Sequence, residues 1–314
     1  MFQKKSEVYR GKDVTVISGL GSFSLTDTLE CGQAFRYEPI VKEKDYCEYL
    51  TVAYGRLIRV GQRKAGELIF FDEWTEEYEK AVVKYFSLDK DYKQIREDII
   101  SRTDSEWLKN AAESAKGIYI LSQEPWETLF SFIISQNNNI PRIRKIIRSI
   151  CAEYGENLAV NNLSECPLPS KKCVPGCKEC KECGICYSFP AAEDILDNPE
   201  GLLPSKPGFR YKYLLDAAEK VAFGGISLAE ISLTGKYEHT VAELKKILGV
   251  GDKVASCVAL FGFGNLEAFP IDVWMKRAID EYFNGKLDPA DLGPYAGVAQ
   301  QYIFHYIRNL QGEN

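Results

Sequence analysis

The N-terminal part of the chain carries short apolar runs with the two-residue period of β-strands. These runs fall between residues 14 and 72, they are rich in β-branched and aromatic residues, and glycine-containing turns separate them. They read VTVIS, SFSL, EYLTVAYG, RLIRVG and ELIFF. Because such runs suit strands joined by tight turns, the pattern predicts an antiparallel sheet.

From Trp74 onward the apolar residues recur with the period of an α-helix. The stretch EPWETLFSFIIS is so densely apolar that it predicts a buried helix, and its proline suits the first turn. Three asparagines then interrupt the pattern, and Pro141 restarts it. The predicted fold class is therefore α+β, with an N-terminal antiparallel-sheet domain over residues 1–118 and an all-α domain over residues 119–314.

Residues 240–262 predict two helices joined by a tight turn, which is a helix-hairpin-helix. Thr240 and Glu243 have the spacing of a capping box at the start of the first helix. Gly249 stands where a left-handed residue is expected after that helix, and Asp252 can cap the second helix.

The glycines of this turn, Gly249 and Gly251, predict a phosphate-binding site. They leave backbone N–H groups exposed at the start of the second helix, where the helix dipole is positive. A contact of this kind does not depend on base sequence and suits a protein that binds the phosphate backbone of one DNA strand. The alternative is an ordinary pair of helices with a glycine turn.

Lys253 and Asp272 are the candidate catalytic residues. The positive end of the helix dipole favours a neutral amine at Lys253, and a neutral amine can act as a nucleophile that forms Schiff bases. Asp272, in the motif FPIDVW, is either a helix cap or a carboxylate that stabilises a developing oxocarbenium ion, and one residue can do both. The alternative for Lys253 is a solvated lysine beside Asp252.

Composition narrows the classes of partner. The 314-residue chain has a net charge of −6, so a general electrostatic attraction to nucleic acid or to an anionic membrane is not indicated. Any DNA binding must therefore come from local basic patches. Because the chain has no secretory signal and no apolar run of about 18 residues, we expect a cytoplasmic protein of bacterial or archaeal type without a membrane partner. We expect it to be a monomer.

The hairpin followed by FPIDVW resembles the helix-hairpin-helix DNA glycosylases (the HhH-GPD superfamily). Within that superfamily the sequence is similar to the 8-oxoguanine DNA glycosylase/lyase family over almost its whole length. Four further stretches carry this resemblance, namely CGQAFRYE, SQNNNIPRI, GFRYKYL and GPYAGVAQQYIF. The resemblance implies base-excision repair, in which 8-oxoguanine opposite cytosine is excised from double-stranded DNA and a β-lyase step follows. The alternatives are a helix-hairpin-helix glycosylase for another damaged base and a non-catalytic DNA-binding module with a structural metal site.

The resemblance also implies the role of individual residues. Lys253 would attack the sugar C1′ and hold the DNA as a Schiff base, while Asp272 would stabilise charge at the sugar. The carbonyl of Gly32 would accept a hydrogen bond from the N7–H that distinguishes 8-oxoguanine from guanine. The remaining base-pocket residues would be Cys257 and Phe304, which sandwich the flipped base, and Gln300, which bonds its Watson–Crick edge.

A second group would contact the DNA that the flipped base leaves behind. Asn137 and Phe209 match the gap-filling positions, and Arg142 and Arg210 match the positions that bond the unpaired cytosine. The alternatives are a solvated basic helix face for Arg142 and a small core contact for Phe209. Trp274 departs from the family pattern, because many eukaryotic relatives have histidine there, so we expect stacking rather than a phosphate contact.

A cysteine-rich insertion over about residues 164–187 predicts a metal site. Six cysteines fall between Cys166 and Cys186, and repeated C-x2-C spacing is typical of thiolate coordination. Zinc bound by four of them is the first hypothesis, an iron–sulfur cluster the second, and a redox-labile disordered loop the third. The candidate ligands are Cys173, Cys177, Cys180, Cys183 and Cys186. The resemblance implies no cofactor for the chemistry itself.

Overall fold

The computed structural model describes residues 2–158 and 184–312. Its N-terminal part contains a six-stranded antiparallel sheet with the order β1-β2-β6-β5-β4-β3. The strands are β1 Gln3–Tyr9, β2 Lys12–Ser18, β3 Tyr37–Glu43, β4 Tyr46–Ala53, β5 Arg56–Gln62 and β6 Glu67–Phe70.

Helices make up most of the rest of the described chain and confirm the α+β class. They are α1 Leu25–Glu30, α2 Glu76–Tyr85, α3 Tyr92–Ser101, α4 Glu106–Ser114, α5 Pro125–Ser135, α6 Ile140–Tyr154, α7 Ala192–Asp197, α8 Tyr211–Ala222, α9 Leu228–Thr234, α10 Tyr237–Leu244, α11 Asp252–Phe263, α12 Val273–Tyr282 and α13 Ala296–Leu310. Short 3-10 turns lie at Pro199–Ser205, Gly208–Arg210 and Pro289–Tyr295. None of the helices within the described ranges has the length and apolarity needed to cross a bilayer.

Four of the five predicted strands are confirmed, as β2, β4, β5 and β6. The strand prediction for SFSL is wrong, because this stretch leads into helix α1. The hydroxyl of Ser24 accepts a hydrogen bond from the N–H of Asp27 (3.3 Å) and so caps the helix. Strands β1 and β3 were not predicted, and they form the two edges of the sheet.

A continuous apolar core joins the sheet to the helices. Phe70 of β6, Phe130 of α5 and Val298 of α13 all belong to it and are inaccessible to solvent. A buried ion pair, Arg36 to Glu127 of α5 (2.9 Å), links the same two parts of the chain. The predicted domain boundary near residue 118 stays a prediction, and the core passes across it.

Candidate active site and DNA interface

The hairpin consists of α10 and α11, and its first helix begins earlier than predicted. The capping-box prediction for Thr240 and Glu243 is wrong, because the residue that precedes the helix is Lys236. Thr240 lies inside α10, where its hydroxyl donates to the carbonyl of Lys236 (3.0 Å). The prediction for Gly249 is confirmed, since its φ of +80° lies in the left-handed region that glycine adopts readily.

Helix α8 packs against the turn of the hairpin and accepts a hydrogen bond from it. A Cβ atom at Gly249 would lie 2.5 Å from the ring of Tyr213, so only glycine fits. The N–H of Leu248 donates to the carboxylate of Asp216 (2.6 Å), which also forms an ion pair with Lys220 (2.7 Å). The shape of the turn is therefore fixed by packing as well as by its own glycines.

The start of α11 has no side-chain cap. The capping residue is Gly251, and the prediction that Asp252 caps this helix is wrong. Asp252 is the first residue of the helix, where it is exposed and paired with Lys245 (2.6 Å). Because no side chain caps the first turn, its backbone N–H groups can bind an anion.

A small cavity of about 50 Å³ lies at the first turns of α11. It brings together the two predicted catalytic residues and all four predicted base-pocket residues, although they come from distant parts of the sequence. These lining residues are Gly32, Lys253, Cys257, Asp272, Gln300 and Phe304. A cleft of about 360 Å³ shares Gly32, Lys253, Asp272 and Phe304 with this cavity, and it also contains Asn138, Trp274 and Arg308.

An aromatic residue that the sequence did not single out contacts the lysine. The Nζ atom of Lys253 lies 5.4 Å from the ring centroid of Phe132, within the range of a cation–π interaction. Phe132 in turn stacks on Phe261 with a centroid distance of 5.5 Å and an interplanar angle of 14°. Phe132 belongs to the densely apolar helix α5, so its sequence pattern does not distinguish it from a core residue.

Cys257 presents a neutral thiol to the cavity. Burial raises its pKa to about 11, the nearby charge and hydrogen bond of Lys253 oppose that rise, and the charge of Asp272 adds to it. The thiol therefore stays protonated at neutral pH, and it can pack against a bound ring without adding charge.

The structure confirms the helix-cap prediction for Asp272 and also places its carboxylate at the cavity, while its role at the sugar stays a prediction. Its carboxylate accepts a hydrogen bond from the N–H of Met275 (2.8 Å) and caps α12. The same side chain lines the cavity beside Lys253. The cap fixes the position of the carboxylate next to the amine.

Two adjacent glutamines of α13 line the cavity. Gln300 and Gln301 are almost completely buried, and the amide of Gln301 donates to the carbonyl oxygen of Gln300 (2.9 Å). Among the described residues the Oε1 of Gln301 has no hydrogen-bond partner. A buried acceptor without a donor is costly, so a ligand that supplies one is favoured.

The loop that carries Gly32 is held in place by the hydrogen bonds of the next residue, Gln33. Gly32 has φ +85°, in the left-handed region. The buried side chain of Gln33 donates to the carbonyls of Thr28 and Tyr119 (both 2.8 Å) and accepts from the N–H of Leu121 (2.9 Å). The sequence alone does not predict this role for Gln33.

The residues predicted to contact the remaining DNA differ in exposure. Asn137 is exposed and has φ +48°, and Arg142 is exposed on the first turn of α6. Phe209 is 50% exposed, so the core-contact alternative for it is wrong. Arg210 is only 3% exposed, and its guanidinium donates to backbone carbonyls of the loops that carry Asn137 and Phe209.

The proposed metal ligands fall mostly outside the described residues. Cys173, Cys177, Cys180 and Cys183 lie in the range that the structure leaves out. Cys186 is buried beside Ile185 against the sheet residues Leu50, Val52 and Leu57. Residues 2–158 and 184–312 contain no cluster of three or more side chains that could hold a metal ion.

Comparisons with known proteins agree with this geometry. The family described as "8-oxoguanine DNA glycosylase, N-terminal domain" matches residues 16–129. An N-glycosylase/DNA lyase from Saccharomyces cerevisiae is 29% identical over 81% of this chain and 66% of its own length, which is just under two thirds.

Two solved structures match almost the whole chain. MBOgg1, in complex with a low-affinity DNA ligand, is 32% identical with a TM-score of 0.80, and the match covers 98% of this chain and 99% of that chain. The Clostridium acetobutylicum 8-oxoguanine glycosylase/lyase, in complex with double-stranded DNA containing cytosine opposite 8-oxoguanine, is 29% identical with a TM-score of 0.79. That match covers 99% of this chain and 98% of the other. The chain belongs to the 8-oxoguanine DNA glycosylase/lyase family of the HhH-GPD superfamily.

Proposed function

We propose that the chain is a base-excision repair enzyme that removes 8-oxoguanine opposite cytosine from double-stranded DNA and then cleaves the strand as an AP lyase. The observation that carries this proposal is the cavity in which Gly32, Lys253, Cys257, Asp272, Gln300 and Phe304 meet. An amine, a carboxylate and side chains that can contact the faces and the edge of a planar ring are what such a reaction requires. Membership of the glycosylase/lyase family supports the same conclusion.

The reaction proceeds through the amine of Lys253. Once Lys253 has given up its proton, its amine attacks the sugar C1′, and the bond from C1′ to the base breaks with its electron pair going to the base, which takes up a proton. The carboxylate of Asp272, held by its cap on α12, stabilises the positive charge that develops on the sugar. The sugar ring then opens to a Schiff base, and loss of a C2′ proton expels the 3′ phosphate.

Recognition of the oxidised base depends on a few contacts. The carbonyl of Gly32 accepts the N7–H that guanine lacks, and Gln300 bonds the Watson–Crick edge. The neutral thiol of Cys257 and the ring of Phe304 enclose the base from its two faces. Extrusion of the base costs a few kcal/mol, and Asn137 and Phe209, both accessible, fill the gap.

The rest of the duplex is held by its backbone and by the unpaired base. The uncapped first turn of α11, after Gly249 and Gly251, binds a phosphate. The exposed Arg142 bonds the unpaired cytosine, whose O2 and N3 are acceptors that match an arginine. The net charge of −6 provides no general attraction to DNA, so these local contacts carry the interaction.

Borohydride trapping tests the proposal directly. Wild-type protein should be captured covalently on DNA that contains 8-oxoguanine opposite cytosine, and Lys253→Gln should abolish capture. Lys246→Gln is the matched control, because Lys246 is an exposed lysine of the same hairpin that pairs with Glu243 (2.5 Å). Failure to trap the wild type would refute the lyase step. Equal trapping on undamaged DNA, or preference for another base in a panel of lesions, would refute the substrate assignment.

We also propose that the chain acts as a monomer in the cytoplasm and that zinc binds the cysteine-rich insertion, without a part in the chemistry. Metal analysis of the purified protein and of a Cys177→Ser, Cys180→Ser double variant tests the zinc proposal. Absence of zinc from the wild type would refute it.

A further inference from the structure

Helix α6 carries basic side chains that the proposed reaction uses only at the start of the helix. These side chains are Arg142, Arg144, Lys145 and Arg148. The helix has a single acidic residue, Glu153, in its last turn. Since the whole chain has a net charge of −6, the first turns of α6 are a local concentration of positive charge.

A cleft of about 670 Å³, here called the α6 cleft, lies between this helix and the edge strand β3. Its charged lining residues are Glu38 of β3 and Arg144, Lys145, Arg148 and Glu153 of α6. Ile140 and Pro141 line the α6 cleft and also the cleft of about 360 Å³ that contains Lys253. The two clefts therefore meet at the first turn of α6, and a ligand that spans the Lys253 cleft can extend into the α6 cleft.

The charges that line the α6 cleft do not balance. The guanidinium groups of Arg144 and Arg148 both donate to the carboxylate of Glu38, and both also donate to the carbonyl of Tyr37. One carboxylate can neutralise only one of two guanidinium groups. Lys145 is exposed and adds a third cation, whereas the only other carboxylate of the lining, on Glu153, is exposed at the far end of the helix.

The hydrogen-bond donors of these arginines exceed the acceptors around them. Each guanidinium has five N–H groups, and the two arginines share the carboxylate of Glu38 and one carbonyl. The Nε groups of Arg144 and Arg148 are buried without a hydrogen-bond partner among the described residues. Their side chains remain 19% and 25% exposed, so each can donate to a ligand in the cleft while it stays bonded to Glu38.

A phosphate group has the chemistry that this surplus requires. It brings negative charge and several acceptor oxygens, the planar fork of an arginine matches its geometry, and a lysine binds it as a point charge. Lys145 and Arg148 are three residues apart and therefore lie on the same face of the helix. The ligand of the neighbouring Lys253 cleft is a polymer of phosphates, so its backbone is the source of phosphate that this position favours.

We propose that the α6 cleft binds a backbone phosphate of the duplex beside the lesion, through Lys145 and the N–H groups of Arg144 and Arg148 that Glu38 leaves available. This inference rests on the proposed function, because it extends the DNA interface of the same enzyme.

The salt dependence of DNA binding tests the inference. Binding is measured by fluorescence anisotropy on a duplex that contains tetrahydrofuran, an abasic analogue that cannot be excised. Lys145→Gln should lower the slope of log affinity against log salt concentration by about 0.9, so its loss of affinity should be about 3-fold larger at about 50 mM than at about 200 mM salt. Lys93→Gln is the matched control, because Lys93 is a 75% exposed lysine of α3 outside both clefts, and it should bind like wild type.

Glu38→Gln gives a prediction of the opposite sign. Removal of the carboxylate increases the positive charge of the α6 cleft and frees N–H groups of Arg144 and Arg148, so this variant should bind DNA more tightly than wild type. If the two ion pairs only fasten α6 to β3, the same substitution should lower the unfolding temperature and leave DNA affinity unchanged or weaker.

A scan with methylphosphonate linkages identifies the bound phosphate. Each linkage replaces one backbone phosphate of the duplex by a neutral group. One linkage should weaken binding by wild type and have almost no effect on Lys145→Gln, because the variant has already lost that contact.

The inference fails if Lys145→Gln has the same salt slope as Lys93→Gln, if Glu38→Gln binds DNA less tightly than wild type, or if every linkage weakens wild type and Lys145→Gln equally. Thermal unfolding checks that the variants fold, and if Glu38→Gln does not fold, the comparison at Lys145 and the linkage scan decide. Failure of the proposed function is a separate result, since a wild type that shows this pairing with one phosphate but is not trapped by borohydride has the phosphate site without the lyase step.

Discussion

Alanine at the two hairpin glycines separates the shape of the turn from its contact with DNA. At Gly249 a Cβ atom would lie 2.5–2.7 Å from three atoms of the Tyr213 ring, and the backbone has φ +80°. At Gly251 a Cβ atom would meet nothing within 4 Å, and φ is −100°. The same substitution therefore has different physical consequences two residues apart.

The magnitudes follow from these two environments. Gly249→Ala incurs about 1–2 kcal/mol for a left-handed alanine and about 1–3 kcal/mol for overpacking against Tyr213. The free energy of unfolding should therefore fall by about 2–5 kcal/mol. Gly251→Ala should change the free energy of unfolding by less than about 1 kcal/mol. Alanine caps a helix less well than glycine, which lowers stability, but it also reduces the entropy of the unfolded chain, which raises stability, and the two effects nearly cancel.

Thermal unfolding and DNA titration distinguish the two variants. Gly249→Ala should unfold at a lower temperature, by about 2 °C for each kcal/mol lost, and should bind DNA weakly. Gly251→Ala should unfold like the parent and still bind DNA less tightly, since its methyl group lies where the phosphate would approach. Unchanged DNA affinity in Gly251→Ala would refute the phosphate site at this turn, and an unchanged unfolding temperature in Gly249→Ala would refute the packing argument.

Three further predictions concern buried groups. Gln301→Leu removes a buried acceptor without a described partner, but it also leaves the buried carbonyl oxygen of Gln300 without the donor that Gln301 supplies. The two effects oppose each other, so the free energy of unfolding should fall by no more than about 2 kcal/mol. Excision of 8-oxoguanine should nevertheless slow, and unchanged excision would contradict a role in the base pocket. Glu127→Gln leaves the buried cation of Arg36 without its carboxylate, and urea unfolding should show a loss of about 3–5 kcal/mol. A loss below about 1 kcal/mol, the value of an exposed pair, would refute the buried pairing. The pKa of Cys257 is raised to about 11, so its thiol should resist iodoacetamide near pH 8 in the native protein and react faster as the pH rises towards that value. Labelling near pH 8 as rapid as in the urea-unfolded chain would show that this burial argument is wrong.

The sequence pattern predicted the strands whose side chains are buried and missed the strands at the edges. Strand β4 has seven of its eight residues buried, so its pattern is strongly apolar. The edge strand β1 reads QKKSEVY, and most of its residues are exposed. Edge strands commonly carry charged side chains that discourage pairing with other chains, and such residues do not indicate a strand on their own.

In the site as well, some residues can be predicted from short sequence motifs, and others depend on contacts between distant parts of the chain. Lys253 and Asp272 could be identified from local motifs, because a helix start and a proline-led loop are short-range features. Phe132, Gln33 and Gln301 could not, since their roles come from contacts with parts of the chain far away in sequence. The error for Asp252 has a physical cause as well, because the helix begins at this residue and its exposed carboxylate pairs with Lys245.

Helix α13 has a consequence for the order in which the protein gains its activity during synthesis. Gln300 and Phe304, on this helix, complete the cavity around Lys253. Residues 296–310 are synthesised after Lys253, so a growing chain contains the amine before it can form the cavity that encloses it. Selection of a base by this cavity therefore has to wait until α13 is docked.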